Sequence, residues 1–177
     1  GDDCICIAAR KNLRTWGHAA FLLKFKEKDE YQTVSLYASG KKDYCETPEC
    51  DDRNNFACFK VSENQILKAK KEIIYYRKDY RVFDNNCTHF VLYLFKAVTG
   101  VNLLTDDYVK NNFPDDSNPR NRFPKYLYQK IDDLKNPTLS FAESYYQFEK
   151  CDPLEAQLTF LGRQKSEESC LADRQDF

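Results

Sequence analysis

Apolar and polar positions along this chain change period near residue 62, from the alternation of strands to the three-and-four spacing of helices. His18 to Phe25 reads His-Ala-Ala-Phe-Leu-Leu-Lys-Phe, apolar on both alternating faces for most of its length, which suits a central strand. The polar tip Lys26 to Glu30 turns the chain, and Tyr31 to Tyr37, rich in β-formers, returns antiparallel to it. A charged, cysteine-bearing loop from Lys41 to Arg53 leads to a short third strand over Phe56 to Val61. Ser62-x-x-Gln65 is a capping-box pattern, and it opens a helix with Ile66, Ala69, Ile73, Tyr76 and Tyr80 on one face. A second helix follows Asn85 and Asn86, both good N-caps. Its Phe90, Val91, Leu94, Phe95 and Val98 form a buried stripe, and Gly100 closes it. Beyond Gly100 the pattern predicts a long loop over Asn111 to Pro124, a short helix over Tyr126 to Leu134 and an aromatic-rich element over Phe141 to Phe148.

Length and composition set the frame for these elements. With 177 residues, 42% hydrophobic and 15% aromatic, the chain can bury one substantial core. A single catalytic domain is expected over residues 1–150, with 151–177 an extension tied down by Cys151 and Cys170. A net charge of −1 supplies no global field to recruit nucleic acid, and a monomer is expected. No apolar run approaches the roughly 20 residues needed to cross a bilayer. The chain contains no methionine, which points to a removed initiator or leader, and its eight cysteines point to an oxidising compartment, so a secreted or periplasmic location is expected. The clustering of the cysteines suggests a staple within the Cys45 to Cys58 loop, another between Cys151 and Cys170, and some use of Cys4 and Cys6. The pairs Cys4-x-Cys6 and Cys87-x-His89 lack the two-knuckle spacing of structural zinc, so neither a metal nor a cofactor is expected.

The chemistry concentrates at Asp84-Asn85-Asn86-Cys87-Thr88-His89-Phe90-Val91. Cys87 falls in the first turn of the second helix, where unpaired N–H groups and the positive end of the dipole favour thiolate, the nucleophilic form. Only two histidines are available to serve it. His89 lies two residues on, and i and i+2 diverge on a helix, so it is expected to hydrogen-bond locally and support the geometry. His18 is therefore the candidate base, reaching Cys87 from the strand packed under the helix. Folding the hairpin between Lys28 and Asp29 sets His18 opposite Ser39, with Tyr37 and Ser35 on the same face. Ser39 is the first choice for the residue that orients the imidazole and Tyr37 the second. The Cys87 backbone N–H is the natural oxyanion donor.

Trp16-Gly17-His18 leading a β-hairpin, followed much later by Asn86-Cys87-Thr88-His89-Phe90-Val91 opening a helix, resembles the circularly permuted papain-like thiol enzymes. That group includes the lecithin:retinol acyltransferase-like proteins and permuted relatives of the NlpC-type cell-wall peptidases. The resemblance covers roughly residues 13 to 100. It implies an α+β, permuted papain-like fold in which an antiparallel sheet packs on the helix bearing the nucleophile, with disulfide-stapled additions. It also implies Cys87 as nucleophile and His18 as base, acting through a thioacyl intermediate. The lipid-acyltransferase branch usually has glutamate where Thr88 stands and commonly a second histidine as orienting residue, where this chain has Ser39.

The leading expectation is a secreted cysteine hydrolase, an amidase or endopeptidase on bacterial peptidoglycan peptides, working as an antibacterial effector or in wall remodelling. Its partners would be a peptide- or acyl-containing substrate and an inhibitor or immunity protein. A phospholipase or acyltransferase is the second reading, with Phe113, Phe123 and Tyr126 in the long loop available to meet lipid. The third is a disulfide-stapled binding module without catalysis, in which Cys87 is bridged. Asn86-Cys87-Thr88 also matches the Asn-x-Thr glycosylation pattern, which conflicts with an open site at Cys87.

Overall fold

The computed structural model describes residues 1–11, 17–38, 40–42, 54–116, 118–135 and 149–153. They form an α+β structure. Its antiparallel sheet is built from β1 (Cys4–Arg10), β2 (His18–Lys24), β3 (Gln32–Tyr37), β4 (Gly40–Lys42) and β5 (Asn54–Lys60), in the order β4-β3-β2-β1-β5. The helices are α1 (Glu63–Tyr75), α2 (Cys87–Thr99), α3 (Asp106–Asn112) and α4 (Pro124–Lys135). The central-strand reading of His18 to Phe25 holds, because β2 lies third of five. Its apolar positions on both faces follow from burial on both sides.

Alternation sorts the sheet cleanly. Ile5, Ile7 and Ala9 of β1, Ala19, Phe21 and Leu23 of β2, and Val34 and Leu36 of β3 face the helices. There they meet Phe90, Val91, Leu94 and Phe95 of α2, each 0% exposed and each worth about 1.5–3 kcal/mol of burial. The intervening residues Cys4, Cys6, Ala8, Ala20, Leu22 and Cys58 form a second buried cluster on the far face.

Strand β1 is absent from the sequence expectation. Its Cys-Ile-Cys-Ile-Ala-Ala run reads as a bridge-forming pair, whereas it is a two-sided strand lying between β2 and β5. The bridges also differ from expectation. Cys58 bonds to Cys6, its cross-strand partner in the β1–β5 ladder, rather than within the Cys45 to Cys58 loop. Cys151 bonds to Cys4 rather than Cys170. Residues 149–151 run along β5, with Lys60 N–H donating to Glu149 O at 2.8 Å and Cys151 N–H to Cys58 O at 3.1 Å, so this edge of the sheet is covered. Cys45, Cys50 and Cys170, and the element expected over Phe141 to Phe148, lie outside the described residues.

Both expected helix starts are realised. Ser62 and Gln65 form a reciprocal capping box at α1, and Asn86 and His89 form another at α2, which ends on Gly100 in the left-handed region. Helix α1 stops earlier than its pattern suggests: Ile66, Ala69 and Ile73 are buried, but Tyr76 is already extended and Tyr80 lies in the following loop. Cations end it. Lys41 Nζ donates to the Ile73 and Ile74 carbonyls at 2.7 and 3.0 Å, and Arg77 Nη1 to Ile74 O at 2.6 Å.

The long loop expected over Asn111 to Pro124 begins after α3, a helix that the sequence pattern does not announce. The buried Arg122 organises it. Its guanidinium donates to the carbonyls of Leu104, Pro119 and Asn121 at 3.1, 2.7 and 2.8 Å and pairs with Asp106. Tyr126 is 1% exposed, and Phe113 and Phe123 pack on its ring at 4.6 and 5.7 Å, so none of the three is the exposed aromatic imagined for lipid contact.

Candidate functional site

The loop between α1 and α2 delivers Cys87 through a densely bonded turn. Arg81 and Asn85 exchange two backbone hydrogen bonds at 3.0 Å. Asn85 Oδ1 accepts from the Tyr76 hydroxyl at 2.6 Å, and Asn85 Nδ2 donates to Asp79 O at 2.9 Å. Asn86 follows as N-cap. Its Oδ1 accepts from Thr88 N–H and His89 N–H at 2.8 and 3.3 Å, while Nδ2 donates to Val82 O and Arg122 O at 2.9 and 2.7 Å. Asn86 is thus 4% exposed with its amide fully engaged, so the folded chain offers no glycan acceptor at the Asn-x-Thr pattern.

Cys87 is a free thiol, 5% exposed, at the first residue of α2. The expected lowering of its pKa by the helix start does not win in this resting state. Burial pushes the thiol up to about 11 from an ordinary 9.0, against hydrogen-bond donation from Ala19, Thr88 and Cys87 itself. The Thr88 hydroxyl, 0% exposed and with no oxygen or nitrogen partner among the described residues, is a further donor that would favour a thiolate once formed. The thiol therefore rests protonated. It needs a base.

Ala19 is where the site converges. Its backbone N–H faces the Cys87 sulfur and its carbonyl accepts from Ser35 Oγ at 2.5 Å. In a strand the N–H and C=O of one residue point to the same side, so sulfur and hydroxyl share one edge of β2. Ser35 Oγ in turn lies 2.7 Å from His18 Nε2. A serine hydroxyl has one proton, and a carbonyl can only accept, so that proton goes to Ala19 O and Nε2–H donates to Ser35. A neutral His18 then carries its lone pair on Nδ1.

The β2–β3 register differs from the expected one by two residues. Phe21, Leu22 and Leu23 pair with Val34, Thr33 and Gln32, because the turn closes earlier, with Lys28 N–H donating to Phe25 O at 2.9 Å. A two-residue shift preserves the face but changes the partner. Continued to the strand ends, it sets Tyr37 rather than Ser39 across from His18, and the two rings stack at 4.7 Å. Ser39 itself lies outside the described residues. The position of His18 also differs from the expectation of a side chain aimed up at the helix. Alternation in β2 puts it on the face of Ala20 and Leu22, and the connection to Cys87 runs around the Ala19 edge through Ser35.

His89 Nδ1 accepts the Asn86 backbone N–H at 3.2 Å, closing the capping box. Burial, then the nearby Arg122 charge, lower its pKa, which favours the neutral ring that this bond requires. Tyr80, read in sequence only as part of a helical face, is half-buried near the thiol: burial and the charge of a Cys87 thiolate both raise its pKa. Nothing in the sequence pattern marks it out, because its role depends on α1 ending at Tyr75. Among the described residues no group of three or more His, Cys, Asp and Glu converges to hold a metal ion, and no helix is long and apolar enough to cross a membrane.

No protein-family model matches the chain, and neither a curated protein nor a solved structure matches it. The chain is an α+β structure with two disulfides among its described residues, an unbridged cysteine at a capped helix start, and a Ser35–His18 hydrogen bond between β3 and β2.

Proposed function

We propose that this chain is a cysteine hydrolase of the permuted papain-like type, with Cys87 as nucleophile, His18 as base and Ser35 as the residue that orients the imidazole. The observation that carries the reading is the meeting at Ala19, whose N–H faces the Cys87 sulfur and whose carbonyl holds the Ser35 hydroxyl bonded to His18. The buried, protonated thiol loses its proton to His18 as it attacks an acyl carbon. The oxyanion that forms is met by the Cys87 N–H at the helix start. Collapse expels the amine, which takes the proton back from His18, and leaves a thioester on Cys87; water then gives a proton to His18 as it attacks, releasing the carboxylic acid, and that proton returns to the Cys87 sulfur.

The substrate we assign is the peptide stem of bacterial cell wall, cut at an amide bond. The two disulfides fit an oxidising, extracytoplasmic compartment where that substrate lies. Purified sacculi treated with the wild-type protein should release new amine ends, and Cys87→Ala should release none. Intact sacculi in the presence of a reactive Cys87 would overturn the substrate assignment.

A second reading, transfer or hydrolysis of a fatty acyl group, draws on Val82 and Phe83, 38% and 56% exposed on the turn that leads to Cys87. A fatty-acyl thioester trapped on Cys87 would favour it. The premise of the binding-module reading, a bridged Cys87, does not hold.

A further inference from the structure

Just upstream of the nucleophile, the α1–α2 loop walls a cavity of about 430 Å³ lined by Arg77, Lys78, Asp79, Arg81, Asp84 and Asn85. Its wall is preorganised by the Arg81–Asn85 backbone pair and by the Asn85 side chain clamped between Tyr76 Oη and Asp79 O. The charges within it are not spent on one another. Among the described residues, no ion pair within 4.0 Å joins Arg77, Lys78 or Arg81 to Asp79 or Asp84. Arg77 uses Nη1 on the Ile74 and Tyr76 carbonyls, and Lys78 stands over the Tyr93 ring at 5.7 Å. The Arg81 guanidinium meets no acceptor among the described residues. Lys41 adds a further cation behind Arg77. Burial and then the Arg77 charge lower its pKa, a sign that positive charge is crowded on this side. The same loop continues directly into Asn86 and Cys87, and its Tyr80, which does not line the cavity, lies in electrostatic reach of the thiol.

We propose that this cavity is a subsite for an oxyanionic group carried by the acyl substrate, a carboxylate or a phosphate gripped by Arg81 and Arg77 while the scissile carbonyl lies at Cys87. Guanidinium groups without a carboxylate partner, exposed to solvent on a concave wall whose backbone is fixed by the Arg81–Asn85 pair, are suited to bidentate capture of such groups. The role of the subsite in catalysis rests on Cys87 as nucleophile, whereas anion binding to the cavity does not, so the two can fail separately.

Inorganic phosphate and, in a separate arm, acetylglycine are titrated into the intact protein. Binding is read from backbone amide chemical shifts, and Cys87 alkylation by neutral iodoacetamide is followed along the same titration. Saturable shifts centred on Arg77 to Asn85 are expected, weakened about tenfold in Arg81→Gln by loss of one charge-assisted pair, with a labelling rate that changes in step with occupancy. Tighter acetylglycine would assign a carboxylate-bearing substrate, and tighter phosphate a phosphate-bearing one. Arg77→Gln provides the same comparison should Arg81→Gln not fold. The proposal is overturned by absence of a saturable shift with either anion, by shifts that both variants leave unchanged, or by saturation that does not alter Cys87 labelling. Failure of the thiol reading would appear elsewhere, as undiminished hydrolysis by Cys87→Ala whatever anions bind.

Discussion

At the scale of single residues, the balance at Cys87 is between a helix start that favours charge and burial that opposes it, and burial wins. The folded protein holds the thiol proton up to about pH 11, whereas an unfolded chain releases it near 9.0. Between those values the native state binds more protons than the unfolded state, so stability falls as pH rises through this window. It is fully present below pH 9. A thiol held this far above its unfolded value contributes about 3 kcal/mol. Chemical denaturation of wild type and Cys87→Ala at pH 8 and pH 11 should show the wild type losing more stability than the variant; parallel losses would mean an exposed thiol. Ser35 makes the second residue-level case. Ser35→Ala removes the acceptor of His18 Nε2–H, so kcat should fall about tenfold with KM little changed and a shifted pH profile, and Ser35→Thr should recover much of it. A loss confined to thermal stability would reduce Ser35 to a structural contact. Sequence reasoning places Ser35 on the face of His18 but, with a register two residues off, sets Ser39 opposite His18, because the exact closure of a polar hairpin tip is not written in its side-chain pattern.

At the scale of elements, two local devices aim the site. Gly17 has φ +77°, and a Cβ there would lie 2.0 Å from the Arg10 carbonyl oxygen. Gly17→Ala should therefore cost at least about 2 kcal/mol and disturb the start of β2 at His18, measurable as a lowered urea midpoint. Asn86 caps α2 and ties it to two other carbonyls. Asn86→Ala should cost about 2 kcal/mol or more, since Arg122 O and Val82 O lose a donor and the Thr88 and His89 N–H groups lose their acceptor, and Asn86→Asp should restore only the cap. Both helix starts and the hairpin are legible in sequence because caps and polar tips act locally. Strand β1 is not, since its identity as a strand depends on partners on both sides and its cysteines signal bridges before pairing. Nor is the end of α1, which is imposed by Lys41 from β4 rather than by any breaker in its own residues.

At the scale of the whole molecule, the sheet is held at one end by Cys4–Cys151 and across the β1–β5 ladder by Cys6–Cys58, spanning 147 and 52 residues. Chain-entropy arguments give roughly 4–5 kcal/mol for closing loops of such lengths, so reduction should lower the melting temperature steeply and free the 149–151 segment from β5. A melting temperature unchanged by reductant under native conditions would show that the core alone suffices. The face of the sheet opposite the helices carries these bridges, and its burial explains how a chain with a mean hydropathy of −0.72 builds strands apolar on both sides.

Acid-quenched mass spectrometry of the protein during turnover of muramyl-peptide fragments decides whether Cys87 is an acyl-accepting nucleophile. A peptide-acyl thioester mapped to Cys87 is expected, absent in Cys87→Ala and reduced in His18→Ala. Substrate consumed with Cys87 always unmodified, and consumed equally by Cys87→Ala, would contradict it.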